Sequence, residues 1–315
     1  MMEYFVTLFD SLYLPQGLTL YRSLEKYIGN YVLWVLCMDN KTKEILDKLN
    51  LEKIKTISLN AVETEELLNA KKDRSIVEYC WTLTPQTPKI VFDREPDAKR
   101  VTYIDADMFF LNSPQPIFSE FERSGKAVLF TEHAYSPDYD HSATCGKYCV
   151  QFMTFNRKTS ESFYNWWAEK CIEWCYSYKE DNKFGDQKYL ELWPQNFPDD
   201  IHVLEQKELI LAPWNAMRFP YSSAIAWHFH GLKILPNNKV LLWSDYELPI
   251  PTIYNIYYKY INELSNSINV LKLQSFSVQP QGNRMTIIES VRNFVKSIRN
   301  YYLKRPYSIT KIDNS

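Results

Sequence analysis

The alternation of strand-like and helix-like segments over residues 4–104 constrains the fold of this chain more than any other feature. Short runs typical of buried strands are followed by segments with apolar residues at helical spacing. The predicted strands are 4–9, 31–38, 54–59 and 101–104, and the predicted helices are 17–28, 41–49, 63–70, 75–81 and 88–93. Strands separated by helices at this spacing form βαβ units and a mainly parallel sheet. The sequence therefore predicts an α/β fold whose ligands lie beyond the carboxyl ends of the strands.

Two aspartates follow the last of these predicted strands. Asp105 and Asp107 flank Ala106, and apolar residues resume at Met108. Ionised carboxylates are rarely buried unless they are paired or bind a metal, and a divalent cation with oxygen ligands can bridge to phosphate oxygens. The alternative is a turn that solvates both side chains, because Asp-x-Asp is a common tripeptide.

The glycine content bears on how a phosphate group would be bound. The chain has 7 glycines in 315 residues, with neither a Gly-x-Gly-x-x-Gly nor a Gly-x-x-x-x-Gly-Lys-Ser/Thr pattern. A cradle of backbone amides is therefore not expected, and a nucleotide diphosphate at this sheet edge would need another source of positive charge. A metal on Asp105 and Asp107 would supply it. The net charge of -2 gives no general attraction for nucleic acid, and no nucleic-acid partner is expected.

The cysteines and the N-terminus indicate a cytoplasmic protein. The six cysteines lie among predicted strands and helices, and their Cys-x₃-Cys spacings differ from the usual Cys-x₂-Cys of zinc sites. Reduced, mostly buried thiols are therefore expected. The N-terminus has no basic region followed by a long apolar core, and the apolar run at 31–38 is too short to span a bilayer.

The second half of the chain is less regular. Residues 127–130 and 148–155 are predicted strands, and 159–178 is a predicted long helix with a stripe of core-packing aromatic residues. The polar residues 134–147 between the strands predict a loop that covers the substrate.

Further polar residues in this half suit a binding site. Asp186 precedes a predicted helix that runs to Leu192, and N-capping of that helix is the simplest role for it. His228 and His230 alternate with apolar residues, so both side chains can face one side, and Lys233 follows closely. Imidazole can ligate a metal and an ammonium group can hold a phosphate, whereas a single such histidine is usually a core residue.

Four short segments occur in a characteristic order: 79–85 (YCWTLTP), 102–110 (TYIDADMFF), 185–190 (GDQKYL) and 212–215 (APWN). Together they resemble the metal-dependent GT-A glycosyltransferases that use nucleotide-sugar donors, in particular family 8 and related bacterial nucleotide-diphospho-sugar transferases. The match runs from about residue 3 to residue 235. It implies a GT-A fold, in which a Rossmann-like, mixed but mainly parallel sheet is flanked by helices.

The resemblance implies a metal site. By it, Asp105 and Asp107 bind Mn²⁺ or Mg²⁺, and His228 is the third ligand. Two positions depart from the family 8 pattern. Trp81 stands near a sugar-contacting arginine of those enzymes, and residues 148–151 (YCVQ) replace an asparagine-rich strand that touches sugar hydroxyls.

The resemblance also implies roles for residues around the donor. Asp10 and Tyr13 lie where family 8 enzymes hold the base, and Lys233 lies near a diphosphate oxygen. Asp186 and Gln187 match the pair that faces the donor sugar and the reacting carbon. The implied partners are a nucleotide-diphosphate sugar, with a UDP-sugar favoured, and a glycan or lipid-linked acceptor, in cell-surface polysaccharide synthesis.

The mechanism of such an enzyme follows from charge. A bound metal, together with Lys233, would stabilise the negative charge that grows on the leaving nucleoside diphosphate. A retaining enzyme needs a group on the β-face, for which Asp186 and Gln187 are the candidates. An inverting enzyme needs a carboxylate base, and Asp186 or Glu132 could serve. The similarity to family 8 favours retention.

The strand–helix alternation stops near residue 249. We therefore assign 1–248 to a GT-A catalytic domain and 249–315 to a helical C-terminal extension. Residues 254–264 predict an aromatic-rich helix, and 285–305 predict a basic amphipathic helix. The latter either lies on the inner membrane surface as a peripheral contact or docks on the enzyme's own core or on a partner.

Two other classes of function are weaker alternatives. A sugar-phosphate nucleotidyltransferase shares the sheet and the metal, but usually has a glycine- and lysine-rich loop after the first strand, which residues 10–17 lack. A non-catalytic carbohydrate-binding protein could use the many aromatic residues, but it would have no need of a metal at this sheet edge. A glycosyltransferase is therefore the favoured class.

Overall fold

The structure is a computed structural model that describes residues 2–219, 224–235, 239–242 and 246–281, and the backbone of 309–311. The strands are β1 (Glu3–Phe9), β2 (Tyr31–Cys37), β3 (Ile54–Ser58), β4 (Arg100–Ile104), β5 (Met108–Phe110), β6 (Val128–Glu132), β7 (Tyr148–Asn156), β8 (Ile201–Val203), β9 (Ile210–Leu211), β10 (Ala226–His228), β11 (Lys233–Leu235), β12 (Lys239–Leu241) and β13 (Ile309–Lys311). The α-helices are α1 (Leu14–Tyr27), α2 (Asn40–Leu49), α3 (Glu65–Lys71), α4 (Ile76–Leu83), α5 (Thr87–Arg94), α6 (Gln115–Ser124), α7 (Ser142–Cys145), α8 (Glu161–Glu173), α9 (Trp193–Asn196), α10 (Ile250–Thr252) and α11 (Tyr258–Leu273). Short 3₁₀ helices lie at Leu59–Ala61, Thr84–Gln86, Pro137–Tyr139, Gln187–Leu192 and Lys207–Leu209, and a π-helical segment lies at Ile253–Tyr257.

The largest sheet in the described part of the chain has seven strands in the order β3-β2-β1-β4-β7-β6-β8. Strands β3, β2, β1 and β4 run parallel to one another, β7 is antiparallel to β4 and β6, and β8 is parallel to β6. The predicted α/β fold with a mixed, mainly parallel sheet is therefore confirmed. The two smaller sheets have the orders β5-β10-β9 and β11-β12-β13.

Both faces of the large sheet are covered. Successive side chains of a strand point to opposite faces, so Phe5 and Phe9 of β1 enter one core and Val6 and Leu8 enter the other. Helices α1, α2 and α6 pack on the first face, and α4, α5 and α8 pack on the second. Burial on both sides explains why these strands are nearly continuous apolar runs in the sequence.

A buried charged network fixes β4 against β1. The Arg100 Nε and Nη2 atoms donate to the two carboxylate oxygens of Glu3 at 2.9 and 2.6 Å, and Nη1 donates to Glu122 at 2.6 Å. Two parallel hydrogen bonds between a guanidinium and a carboxylate fix the relative orientation of the two groups as well as their separation. This network joins the amino-terminal ends of the two strands, and their parallel pairing sets the carboxyl ends, where Asp10 and Asp105 follow, on the same edge of the sheet.

Helix α8 is shorter than predicted. It ends at Glu173 rather than at 178, because Trp174 has an extended backbone. The guanidinium of Arg74 donates to the carbonyl oxygens of Cys171 and Ile172 at 2.7 and 2.6 Å. Capping of the last carbonyls by a cation ends a helix favourably. The predicted loop at 134–147 is also partly helical, since it contains Pro137–Tyr139 and α7.

The helices that follow residue 249 pack against the rest of the chain. Helix α11 lies on α1, where Thr19 Oγ1 and Ser267 Oγ are 3.0 Å apart, and the ring of Tyr260 meets that of Phe109 edge-on at 5.5 Å. The helix predicted at 254–264 is longer, because it continues to Leu273. Residues on both sides of position 248 share one hydrophobic core. The division into 1–248 and 249–315 stays a prediction.

The amphipathic helix predicted at 285–305 lies outside the described residues. Among the residues that are described, no helix combines the length and the apolar character needed to cross a bilayer.

We expect Gly17→Ala to destabilise the protein by about 1–3 kcal/mol, although alanine is the better helix former. A Cβ atom at Gly17 in α1 would lie 2.5 Å from Cε1 of Phe9, whose ring is buried. Chemical denaturation measures the change in the free energy of unfolding. The control is Gly29→Ala, because a Cβ there would meet nothing within 4 Å. Equal stability of the two variants would contradict this expectation.

Candidate active site

The turn between β4 and β5 brings two carboxylates to a histidine. Strand β5 pairs antiparallel with β10, and this pairing sets His228 opposite Met108. The Nε2 atom of His228 is 3.1 Å from Oδ1 of Asp107 and 3.6 Å from Oδ2 of Asp105. The three residues each offer a ligand atom, and these atoms lie within 4.8 Å of one another. The structure therefore brings the predicted metal ligands together.

Main-chain hydrogen bonds hold this turn in place. The amide of Asp105 donates to the carbonyl of Gln151 in β7 at 3.1 Å, and the amide of Phe229 donates to the carbonyl of Asp107 at 2.9 Å. The amide of Met108 closes the turn on the carbonyl of Asp105 at 3.1 Å. The positions of both carboxylates are thus set by two neighbouring strands.

Side-chain hydrogen bonds orient two of the ligands. The hydroxyl of Tyr103 donates to Oδ1 of Asp105 at 2.8 Å. The Oε1 atom of Gln151 lies 2.8 Å from Nδ1 of His228. Partners of this kind fix the orientation of metal ligands in many proteins.

The ionised forms of Asp107 and His228 stabilise each other. Burial raises the pKa of Asp105. Burial opposes ionisation of Asp107 as well, but the charge and hydrogen bond of His228 lower the pKa of that carboxyl. Burial also opposes protonation of His228, yet Asp107 and Asp105 raise the pKa of the imidazole well above its ordinary value. Two negative charges that attract a proton this strongly also suit a divalent cation.

A cavity of about 440 Å³ opens beside these residues. Its lining includes the three ligands and the sequence-predicted site residues Asp10, Tyr13, Asp186 and Gln187. Such a volume is in the usual range for a small-molecule site.

Asp10 and Tyr13 both line this cavity. The Oδ1 atom of Asp10 accepts hydrogen bonds from the amides of Leu12 and Tyr13 at 3.0 and 3.2 Å, which stabilises the turn before α1. Burial raises the pKa of Asp10. Tyr13 is 40% exposed, so its ring is accessible from the cavity.

Asp186 does not cap the helix that follows it, so the predicted N-capping role is wrong. Its own backbone is already helical, and its side chain makes no capping hydrogen bond. The side chain lines the cavity and is only 5% exposed. Burial, and then the charge of Asp105, raise the pKa of Asp186 well above its ordinary value.

Residues beside Asp186 shape the same wall. Gly185 has a φ of +53°, and a Cβ there would lie 3.3 Å from the ring of Trp81, so the backbone passes closely over that ring. The Nε2 atom of Gln187 donates to the carbonyl of Cys145 at 2.8 Å. Trp81 itself lines the cavity.

Lys233 and Glu132 lie apart from the cavity lining. Lys233 is exposed in β11, because the chain turns at Gly231, which has a φ of +76°, and leaves the site. A contact of Lys233 with a diphosphate stays a prediction. Glu132 is paired with Lys147 at 3.1 Å and Lys207 at 2.6 Å, and although burial acts against this, the two lysines lower its pKa.

The aromatic wall of the cavity formed by His133, Tyr135 and Trp214 was not predicted as a whole. The rings of His133 and Tyr135 stack at 4.7 Å, and Trp214 meets His133 edge-on at 5.2 Å. The side chain of Asn215 holds this wall, since it donates to the carbonyl of His133 at 3.1 Å. Burial lowers the pKa of His133 to about 3, so this ring is neutral near pH 7. The sequence signals for this wall were the segment 212–215 and the loop predicted at 134–147, which contains Tyr135.

The two histidines of the 228–230 segment lie near each other, as their spacing predicts. Their ring centroids are 5.5 Å apart, and Trp214 meets His228 at 5.4 Å and His230 at 5.5 Å.

The cysteines are free thiols. Cys37, Cys149, Cys171 and Cys175 are buried, and Cys80 and Cys145 are half-buried. Cys80, Cys145 and Cys149 line the cavity.

Comparison with solved structures defines the class of fold. The bifunctional glycosyltransferase WbbM aligns with a TM-score of 0.53 at 14% identity, over 88% of this chain and 52% of WbbM. The galactosyltransferase LgtC aligns with a TM-score of 0.50 at 15% identity, over 72% of this chain and 87% of LgtC. GlyE of Streptococcus pneumoniae TIGR4 aligns with a TM-score of 0.50 at 13% identity, over 90% of this chain and 66% of GlyE. The fold is therefore that of the GT-A glycosyltransferases.

Sequence comparison identifies two relatives with higher sequence identity than these solved structures. The uncharacterised protein YfnF of Bacillus subtilis (strain 168) is 28% identical over 264 residues, which are 78% of this chain and 86% of YfnF. The uncharacterised protein YfnD of the same organism is 28% identical over 285 residues, which are 85% of this chain and 91% of YfnD. No known protein-family profile matches the chain.

Proposed function

We propose that this protein is a metal-dependent glycosyltransferase. It moves a sugar from a nucleotide-diphosphate sugar, with a UDP-sugar favoured, to a hydroxyl of a glycan, glycolipid or other acceptor. The observation that carries the proposal is the meeting of Asp105, Asp107 and His228 within 4.8 Å at a cavity that Asp186 and Gln187 also line. The GT-A fold supports it, because that fold is shared with enzymes of this kind.

The three ligand residues suit Mn²⁺ or Mg²⁺. Two carboxylates and one imidazole leave coordination positions for water and for phosphate oxygens, which such ions prefer. His228 fits this role because its Nδ1 atom already has a partner in Gln151, which leaves Nε2 for the ion. When bound, the ion supplies a Lewis acid that stabilises the negative charge of the leaving diphosphate.

The chain's own residues would place the substrates. Asp10 and Tyr13, which line the cavity, would hold the nucleoside. The Nε2 atom of Gln187 is engaged by the carbonyl of Cys145 at 2.8 Å, which leaves its Oε1 atom available to a sugar. Asp186 is the remaining carboxyl in the lining, since Asp105 and Asp107 hold the metal and Asp10 stabilises a turn. Fixed placement of this kind lowers the entropic part of the barrier.

Transfer with retention is the favoured course. An inverting enzyme needs a carboxylate base next to the acceptor, and Glu132, one of the two candidates for it, is held in ion pairs with Lys147 and Lys207. A retaining enzyme needs a group near the reacting carbon but no strong base, and Asp186 and Gln187 meet that need. A place in cell-surface polysaccharide synthesis rests on the sequence resemblance.

We expect UDP to raise the melting temperature of the protein only when Mn²⁺ is present. The reason is that the phosphates would bind largely through the ion held by Asp105 and Asp107. A ligand at 100 times its Kd stabilises the native state by about 2.7 kcal/mol, which is a shift of several degrees. Thermal unfolding with UDP, GDP, CDP and their sugar derivatives, each with and without Mn²⁺, measures the effect and identifies the base. Equal shifts without the metal, or no shift with any nucleotide, would count against the proposal.

A further inference from the structure

One residue of β7 contacts both segments that carry the proposed metal ligands. The carbonyl of Gln151 accepts a hydrogen bond from the amide of Asp105 at 3.1 Å, and its side-chain Oε1 atom lies 2.8 Å from Nδ1 of His228. Gln151 is fully buried at 0% exposure. The contact with His228 spans 77 positions of sequence, so it is made by the fold and not by local geometry.

The chemistry of imidazole gives this contact a consequence. The Nε2 atom of His228 faces Asp107 and Asp105 at 3.1 and 3.6 Å, so it is the nitrogen placed to bind a cation. A nitrogen that binds a cation must present a lone pair, and the proton of the neutral ring must then sit on Nδ1. The Oε1 atom of an amide accepts hydrogen bonds and cannot donate one, so in this position it favours a proton on Nδ1.

The opposite end of the same amide makes the orientation testable. The Nε2 atom of Gln151 is buried and has no hydrogen-bond partner among the described residues. If the amide were reversed, its NH₂ group would face Nδ1 of His228 and would favour a proton on Nε2, where it would block the cation. An ionised glutamate at this position has two acceptor oxygens and no donor. It can therefore replace the amide that faces Nδ1 of His228 with its oxygen, but not the reversed amide that faces it with its NH₂ group.

We propose that Gln151 is a positioning residue for the metal site. It holds His228 in the tautomer that has its proton on Nδ1, and in the ring orientation in which Nε2 faces Asp105 and Asp107. The inference rests on the proposed function, because it assumes that a divalent cation binds between these residues. Residues that orient a metal-binding histidine typically contribute 10- to 100-fold to metal affinity.

The test is the affinity for Mn²⁺ alone, measured on the purified protein by electron paramagnetic resonance titration. We expect Gln151→Leu to weaken Mn²⁺ binding by about 10- to 100-fold. We expect Gln151→Glu to bind Mn²⁺ about as tightly as the natural protein, because the acceptor for Nδ1–H is kept. In both variants the carbonyl at position 151 can still accept from the amide of Asp105, so the comparison isolates the side chain.

Thr154→Val is the matched control. Thr154 is fully buried in the same strand, and its hydroxyl lies 3.0 Å from that of Thr102 in β4. Loss of the Thr154 hydroxyl removes a buried hydrogen bond between β7 and β4 and leaves the proposed metal ligands unchanged. We expect Thr154→Val to lower stability and to leave Mn²⁺ affinity unchanged. A loss of affinity in this control equal to that of Gln151→Leu would overturn the inference, because any weakening of β7 would then suffice.

A spectroscopic measurement on the natural protein tests the inference without relying on the folding of the Gln151 variants. The chain has five histidines, and comparison with His228→Asn assigns the signal of His228 in a ¹⁵N-histidine spectrum. With Mg²⁺ bound, we expect Nδ1 to carry the proton and Nε2 to shift on binding. A deprotonated Nδ1 would overturn the inference. Binding of Mn²⁺ that is equally tight in the natural protein and in Gln151→Leu would do the same while leaving the proposed function intact. If the natural protein binds no Mn²⁺ at all, both fall together.

Discussion

Replacing Asp107 with asparagine is expected to lower metal-dependent sugar transfer by about 10³-fold. A metal that acts as a Lewis acid contributes several kcal/mol to transition-state stabilisation, and each 1.36 kcal/mol is a factor of ten in rate. The Oδ1 atom of Asp107 lies 3.1 Å from Nε2 of His228, so the two are placed to share one cation. Asparagine keeps the shape of the side chain but removes its charge. The expected loss is therefore electrostatic.

Two measurements check this expectation. The first is the Mn²⁺-dependent release of nucleoside diphosphate from the nucleotide sugar selected by the thermal screen. The second is Mn²⁺ affinity without a nucleotide, which should fall in the same variant. Retained Mn²⁺ affinity in Asp107→Asn would show that the ion binds elsewhere, whatever happens to the activity.

Asp39→Asn is the control for this change. Asp39 also follows a strand at the same edge of the sheet, but its carboxylate accepts from the amides of Thr42 at 2.6 Å and Ser11 at 3.0 Å, and it lies outside the cavity lining. Asparagine is as good an N-cap residue as aspartate, because its side-chain oxygen can still accept from the amide of Thr42, so we expect little loss of stability from this substitution. Its Mn²⁺-dependent activity should be unchanged once the protein is folded.

Much of the fold could be predicted because its signals are local. The strands of the first half are apolar runs, since both faces of the sheet are covered, and each run is followed by a helical pattern. Asp105, Asp107 and His228 could be singled out because each lies in or beside an apolar strand, where an ionisable group is rarely found unless it is paired or binds a metal. The order of the four motifs then indicated the GT-A fold.

The rest depended on contacts between distant parts of the chain. At the early end of α8, Arg74 approaches from another segment and caps the carbonyls of Cys171 and Ile172. The contact between Gln151 and His228 joins β7 to β10, and neither residue alone signals it. The local pattern gave Asp186 a capping role because aspartate favours such positions, whereas the resemblance placed it next to the donor sugar; in the fold Asp186 makes no capping hydrogen bond and lines the cavity.

Asp186→Asn is expected to lower the rate of sugar transfer by about 10²- to 10⁴-fold, the range typical of a side chain that acts on the reacting group. It should leave Mn²⁺ affinity intact, because Asp186 lies outside the group of Asp105, Asp107 and His228. The variant keeps the shape of the side chain, so a change in rate without a change in Mn²⁺ affinity separates an effect on sugar transfer from an effect on metal binding.

The pH dependence of the transfer rate should also show the involvement of Asp186. Burial and the charge of Asp105 raise the pKa of Asp186 above the ordinary carboxyl value. If the ionised carboxylate acts on the reacting carbon, the rate rises as the pH rises through this raised pKa and falls as the pH drops below it. Measured at saturating Mn²⁺, this limb of the profile should be present in the natural protein and absent in Asp186→Asn.

Glu132→Gln provides the decisive comparison. Glu132 was the other carboxylate that an inverting reaction could use, but it is engaged by Lys147 and Lys207. We expect this variant to keep its rate of transfer, while Asp186→Asn loses it. The reverse result, a slow Glu132→Gln and an active Asp186→Asn, would require Glu132 to leave its ion pairs and act as a base. Inversion would then be the better account of the chemistry, with the metal site unaffected.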